Sequence, residues 1–197
     1  MNELRAARSL TTLPVVTLGG DAVAQVKDTV FDTAAARVTG FTLSGRGLLS
    51  GPLKQSLPWT AVHCLGHDAV MIVDAGTLAD TPVAVARRAA QQGRVLHARV
   101  LTDEGTEVGT VLDVVVEGGT SGRVVGFLIA AGKALTQGSG RRRHRLYMPR
   151  GETLAVSGRT LVMPADTVRY VAEDLPAFAA RVGAFHDGHE GHEGTPR

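Results

Sequence analysis

Two aspartates recur with the same neighbours: Val26-Lys-Asp28 and Val111-Leu-Asp113 each lead into an apolar run. Paired carboxylates can pass a proton, so repeated acids raise the question of acid–base chemistry. Such chemistry needs a pocket and a third partner, and no residue pattern here supplies either; hydrogen bonding to the adjacent turn, fixing strand register, is the simpler role. His63, Cys64 and His67 are metal-ligating types. Structural zinc usually takes ligands in two spaced pairs, and successive strand residues point to opposite faces, so His63 and Cys64 cannot ligate together. Cys64 reads as a buried strand residue. His186, His189 and His192 alternate with Asp187, Glu190 and Glu193, a tract that binds transition metals weakly and reads as a solvated tail. The sequence therefore assigns no catalytic residue, no metal and no cofactor, and the expected protein is not an enzyme.

The sharpest candidate is Gly138-Ser-Gly-Arg-Arg-Arg-His-Arg145, in which Arg141, Arg142, Arg143 and Arg145 crowd a glycine-flanked loop. These guanidinium groups could hold phosphates or an acidic protein patch, each phosphate contact adding salt dependence. No aromatic residue is interleaved, so base stacking and sequence-specific RNA reading are not expected. Gly-Gly pairs at 19 and 118 sit in turns too short to cradle a nucleotide, and no nucleophile elbow or triad occurs.

What positions these groups is an internal repeat. Val26, Asp28, Arg37, Val38, Gly40 and Phe41 return as Val111, Asp113, Arg123, Val124, Gly126 and Phe127. Asp28 to Asp113 is a shift of 85, as is Val16-Thr17 to Leu101-Thr102; Gly40 to Gly126 is 86; Leu57-Pro58 to Met148-Pro149 is 91. The extra residues fall between Leu128 and Met148, which makes the arginine-rich stretch a surface insertion.

The chain of 197 residues thus divides into two units of about 75 residues, each of which would bury only about 60% of its unfolded-chain surface. The copies are expected to pack together or to dimerise. Net charge is +2, and of 21 Lys and Arg only Lys27, Lys54 and Lys133 are lysines, so charge alone does not announce a nucleic-acid partner. A single cysteine fits a reducing cytosol, and neither an export signal nor a membrane span is indicated, which places the protein in the cytoplasm without membrane insertion.

Residues 2–8 are good helix formers and predict a short helical turn. Leu13–Leu18 reads as an edge strand because of Pro14. Val23–Phe31 and Arg37–Leu43 form a hairpin with a loop of about five residues. Strands over Leu57–Leu65 and Ala69–Val73 follow, with counterparts at Thr153–Val156 and Thr160–Met163. Closure of such short strands into a barrel would remove exposed edges. Thr81–Gly93 carries an N-cap Thr, Pro at N1 and a terminal Gly, and predicts a linker helix. Asp174 can cap a second helix bearing Leu175, Phe178 and Val182, an apolar stripe that must cover something.

On these residues the chain resembles the PRC-barrel family, the small β-barrel shared by the reaction-centre H subunit and the ribosome-maturation factor. The resemblance rests on Val100-x-Thr-Asp-Glu-Gly-x-x-Val-Gly-x-Val-x-Asp-Val-Val-Val116 and Gly126-Phe-Leu-Ile129 in the second copy. In the first it rests on Leu57-Pro-Trp-Thr-Ala-Val62 and Gly66-His-Asp-Ala-Val70. The first copy has Leu-Gly-Gly-Asp21 in place of the Asp-x-x-Gly turn, and Arg150 stands where the family often has Trp. The expected fold is mainly β: two small antiparallel PRC-type barrels at 10–75 and 95–171, a helical linker over 76–94, a C-terminal helix over 172–185 and a disordered tail over 186–197. The resemblance implies a non-enzymatic protein-binding or scaffold module; its protein partner is unidentified, and self-association as a homodimer through the C-terminal helix is a separate expectation. The alternative is an RNA- or ribosome-associated assembly factor using the loop from Arg141 to Arg145. The first is analogy from fold, the second a reading of the loop arginines.

Overall fold

The computed structural model of the chain describes residues 3–32, 35–47, 50–80, 95–136, 144–151, 155–157 and 159–190. The predicted linker helix over 81–93, Arg141–Arg143 and His192 lie outside the described residues. The chain divides into two units, Met1–Arg94 with Val116–Val124, and Val95–Val115 with Val125–Arg197. Both are built mainly from strands.

The first unit begins with β1 (Leu4–Ala6) and a 3-10 turn, Ala7–Leu10, so the helical turn expected over 2–8 is replaced by extended chain. Propensity yields here to tertiary pairing: the Glu3 carbonyl accepts from Gly118 N–H at 2.8 Å. β2 (Pro14–Thr17), β3 (Ala22–Asp32), β4 (Arg37–Ser44), β5 (Pro52–Pro58), β6 (Val62–Leu65), β7 (Val70–Ile72) and β8 (Ala79–Asp80) follow. They form one sheet in the order β6-β7-β2-β3-β4-β5-β8. Alternation sends Val15, Val26, Val38, Phe41, Leu43, Leu57, Val70 and Ile72 inward, where each is almost wholly buried.

The second unit repeats this order. Its strands are β9 (Arg99–Thr102), β10 (Glu107–Glu117), β11 (Val124–Ala131), β12 (Arg145–Pro149), β13 (Ala155–Ser157) and β14 (Thr160–Met163), paired as β13-β14-β9-β10-β11-β12. Register repeats with the order. Val15 opposes Val70 as Val100 opposes Leu161, and Gly40 opposes Pro58 as Gly126 opposes Pro149. The two glycines are needed for one reason: a Cβ would lie 2.5 Å from the Leu57 carbonyl oxygen at Gly40 and 2.4 Å from that of Met148 at Gly126.

β2 runs parallel to β7, and β9 to β14, while β2–β3, β3–β4, β4–β5, β5–β8, β6–β7, β9–β10, β11–β12 and β13–β14 are antiparallel. After β5, the 3-10 turn Trp59–Ala61 carries the chain to the far end of the sheet, and β7 returns alongside β2. Among the described residues no ladder joins β6 to β8, so this sheet is barrel-like with two ends.

The C-terminal helix spans Leu175–Glu190, taking in His186, Asp187, Gly188, His189 and Glu190, which the sequence assigns to the tail. Asp174 caps it, accepting from Ala177 N–H at 2.7 Å. Phe178 is fully buried and lies 5.7 Å from Tyr147, ring to ring, and Val182 is buried too. The apolar stripe that must cover something thus packs within its own unit.

Candidate interaction surfaces

The residues able to do chemistry are held in scaffold bonds. Asp28 sits at a register shift in the β3–β4 ladder, where its N–H donates to Thr42 Oγ1 (3.1 Å) and its Oδ2 accepts from the same hydroxyl (3.2 Å). Asp113 is buried, with its Oδ1 accepting from Val114 N–H at 2.8 Å. The two carboxylates belong to different units.

On β6, His63 is exposed and Cys64 half-buried. His67 lies beyond, its Nδ1 2.9 Å from Glu3 Oε1. Among the described residues no three His, Cys, Asp or Glu side chains cluster as a metal would require. The unexpected member of this region is Arg5, which is buried and donates from Nη1 to the carbonyls of Gly66 and His67, the latter at 2.5 Å. It fastens the β6–β7 turn to β1. A helical reading of residues 2–8 hides it, since that turn can be reached only if Leu4–Ala6 is extended.

Of the arginine cluster, Arg145 is described: it is exposed and opens β12 opposite Ala130. Ala131 N–H donates to the His144 carbonyl at 2.8 Å, and exposed Lys133 follows in the helical turn Lys133–Thr136. Lys133 and Arg145 therefore stand at the two bases of the arginine-bearing loop.

The first unit also contains the tip of the β10–β11 hairpin. Leu65 and Gly119 exchange both backbone hydrogen bonds (2.8 and 2.9 Å), Val38 N–H donates to Gly122 O (2.8 Å), and Val124 N–H to Ala36 O (2.8 Å). Gly122 has φ +60, and a Cβ there would lie 2.5 Å from the Trp59 indole. The sequence signals the turn but not what the turn docks against.

The two sheets differ most on their outward faces. In the first unit Cys64, Met71, Val16 and Ala22 form a row across β6, β7, β2 and β3, since each is the ladder partner of the next. One step on, Leu18 N–H bonds Ile72 O (2.9 Å), setting Leu18 beside Val73; at 55% and 54% exposure these are the exposed large hydrophobic side chains among the described residues. In the second unit the equivalents of Pro14 and Ala22 are Arg99 and Glu107, joined by an ion pair with Nε–Oε2 3.0 Å. The equivalent of Leu18 is Asp103, whose Oδ1 accepts from Ala165 N–H at 3.0 Å. The first unit caps its corresponding 3-10 turn, Ala75–Thr77, from Asp74, whose Oδ1 accepts from Gly76 N–H at 2.7 Å. Position 18 is thereby released from capping. The contrast is written in the sequence, where the offset of 85 sets Leu18 against Asp103.

A PRC-barrel domain is found at residues 2–78, a match that spans β1 to β7 and begins before the boundary expected at residue 10. No curated protein matches the chain.

Proposed function

We propose that the chain is a protein-binding or scaffold module made of two PRC-type barrels, the second unit being a further copy of the domain found at residues 2–78. The observation that carries this is the shared strand order and ladder register of the two units, with the family match on the first. PRC-barrel domains are in general non-catalytic interaction modules, and the carboxylates of Asp28 and Asp113 are engaged in bonds that shape strands. The proposed setting is the cytoplasm, where the free thiol of Cys64 is at home. No described helix is long and apolar enough to cross a membrane.

The test is cross-linking of the full chain in its native host, followed by titration of each cross-linked protein, purified, against the purified chain. A saturable complex of defined stoichiometry supports the reading; the failure of every such pair to rebind overturns it. The placement of Lys133 and Arg145 favours one second reading, an RNA- or ribosome-associated factor. Changing Arg141, Arg142, Arg143 and Arg145 to Ser should then flatten the salt dependence of RNA retention, by roughly 0.7 in log–log slope per lost single-strand phosphate contact. Unchanged retention removes that reading.

A further inference from the structure

We propose that the outward face of β6, β7 and β2 in the first unit docks a short segment of another protein, with apolar side chains over Met71, Val16, Leu18 and Val73 and Lys or Arg at the end beside Asp21 and Asp74. This rests on the protein-binding reading and gives it a surface and a partner chemistry.

An outward sheet face facing water normally alternates to polar residues. Here it does not. Val16 and Met71 are matched by Leu101 and Val162, so this row is apolar in both units, but Leu18 is matched by Asp103 and the flanking Pro14 and Ala22 by the Arg99–Glu107 ion pair, so this architecture accepts charge at the end and the rim of the face. The 3-10 turn after β7 does not call on position 18, because Asp74 at its start accepts from Gly76 N–H, where the second unit uses Asp103 to accept from Ala165 N–H. Two adjacent apolar side chains, Leu18 and Val73, are more than half exposed.

Size and charge select the occupant. Three strands about 4.8 Å apart, carrying outward rows about 7 Å apart, make a footprint of roughly 10 by 7 Å for the two rows. That is far short of the ~800 Å² per partner of a stable protein–protein interface, so the face suits one inserted segment rather than a second copy of the chain. Asp21 and Asp74 are exposed at the Leu18–Val73 end. Among the described residues Arg46 bonds the Ala22 carbonyl at 2.8 Å on the β3 side, next to Asp21. On the β7 side exposed Asp74 is complementary to a basic flank on the ligand.

The experiment is selection of a phage-displayed random peptide library on the immobilised full chain. The enriched peptide, synthesised with a fluorophore, is then titrated against wild type, Leu18→Asp, Val73→Glu and Asp21→Asn. Expected are peptides with apolar residues flanked by Lys or Arg, weakened about tenfold or more by Leu18→Asp and by Val73→Glu, and a few-fold by Asp21→Asn. Unchanged far-UV circular dichroism and melting must accompany each variant; because positions 18 and 73 are exposed, at least one is expected to fold as wild type. Peptides that bind both apolar-face variants as tightly as wild type overturn this surface and leave the protein-binding reading standing, whereas no enrichment at all counts against both. A light-scattering mass that halves in Leu18→Asp assigns the face to a second copy, and vesicle co-sedimentation lost in Leu18→Asp assigns it to lipid; either result overturns the proposal.

Discussion

The two units agree inside and disagree outside. Val15, Val26, Val38, Phe41, Leu57 and Val70 are buried in the first, and Val100, Val111, Val124, Phe127, Met148 and Leu161 are buried at the same ladder positions in the second. Buried positions answer to packing, where a change of even one methylene is felt, while outward positions answer only to water and to whatever binds there. At three outward positions the first unit is apolar where the second is charged, Pro14, Leu18 and Ala22 against Arg99, Asp103 and Glu107, while between them Val16 and Met71 are matched by Leu101 and Val162. The fold holds these strands in place in both, so the difference reads as function laid on a common scaffold.

The C-terminal helix offers the largest perturbation of the comparison, because Phe178 packs on Tyr147 and Gly126 within the second unit. Phe178→Ala should cost about 3–5 kcal/mol. Trp59, the single tryptophan of the chain, lies in the first unit and reports on it separately. The expected outcome is an early far-UV transition while the Trp59 fluorescence transition moves little; a shift of both by the same amount would show that the units unfold as one.

Next in size is Gly122→Ala, which adds a Cβ 2.5 Å from the Trp59 ring at a residue with φ +60. We expect a loss of about 2 kcal/mol and a displaced Trp59 emission maximum, since left-handed backbone and ring contact both oppose the new methyl. Although position 122 lies in the hairpin that continues into the second unit, the loss should appear first in the first-unit signal. An unchanged emission maximum would contradict the docking of the tip.

How far the sequence reveals all this depends on whether a feature is local. The offset of 85 places Pro14–Thr17 on Arg99–Thr102 and Ala22–Asp32 on Glu107–Glu117, and these are strands of matching length in the structure. The Asp174 cap with Phe178 and Val182 behind it is likewise legible, being written in the spacing of a few residues. What escapes is non-local. Parallel pairing of β2 with β7 joins residues 55 positions apart, as in Val15 with Val70, and no periodicity reports it. β1 escapes because Asn2–Arg8 favour helix in isolation, and Arg5 pairs with carbonyls more than sixty residues on. The outward apolar face escapes because alternation predicts which side faces out, not that the outer side should be anything but polar.

Exchanging the caps tests that face more gently. Asp103→Ala should destabilise the second unit by about 1 kcal/mol, as Ala165 N–H loses its acceptor. Leu18→Asp should stay within about 0.5 kcal/mol of wild type, because Asp74 already caps the corresponding turn. A large loss in Leu18→Asp would mean that position 18 packs for stability, and the contrast between the units would then lose its functional meaning.

The smallest effect is expected at Arg99 and Glu107, whose side chains remain 60% and 45% exposed. A double-mutant cycle with Arg99→Ala and Glu107→Ala should return a coupling of about 0.2–1 kcal/mol that shrinks with added salt. This outcome carries weight because the pair occupies the positions filled by Pro14 and Ala22 in the first unit. If the ion pair contributes only a few tenths of a kcal/mol, its replacement by apolar residues is nearly free of stability cost in either direction, and stability cannot be what separates the two faces. A coupling of several kcal/mol would say instead that the second unit depends on the pair, and that the first unit has found another way to hold β2 against β3.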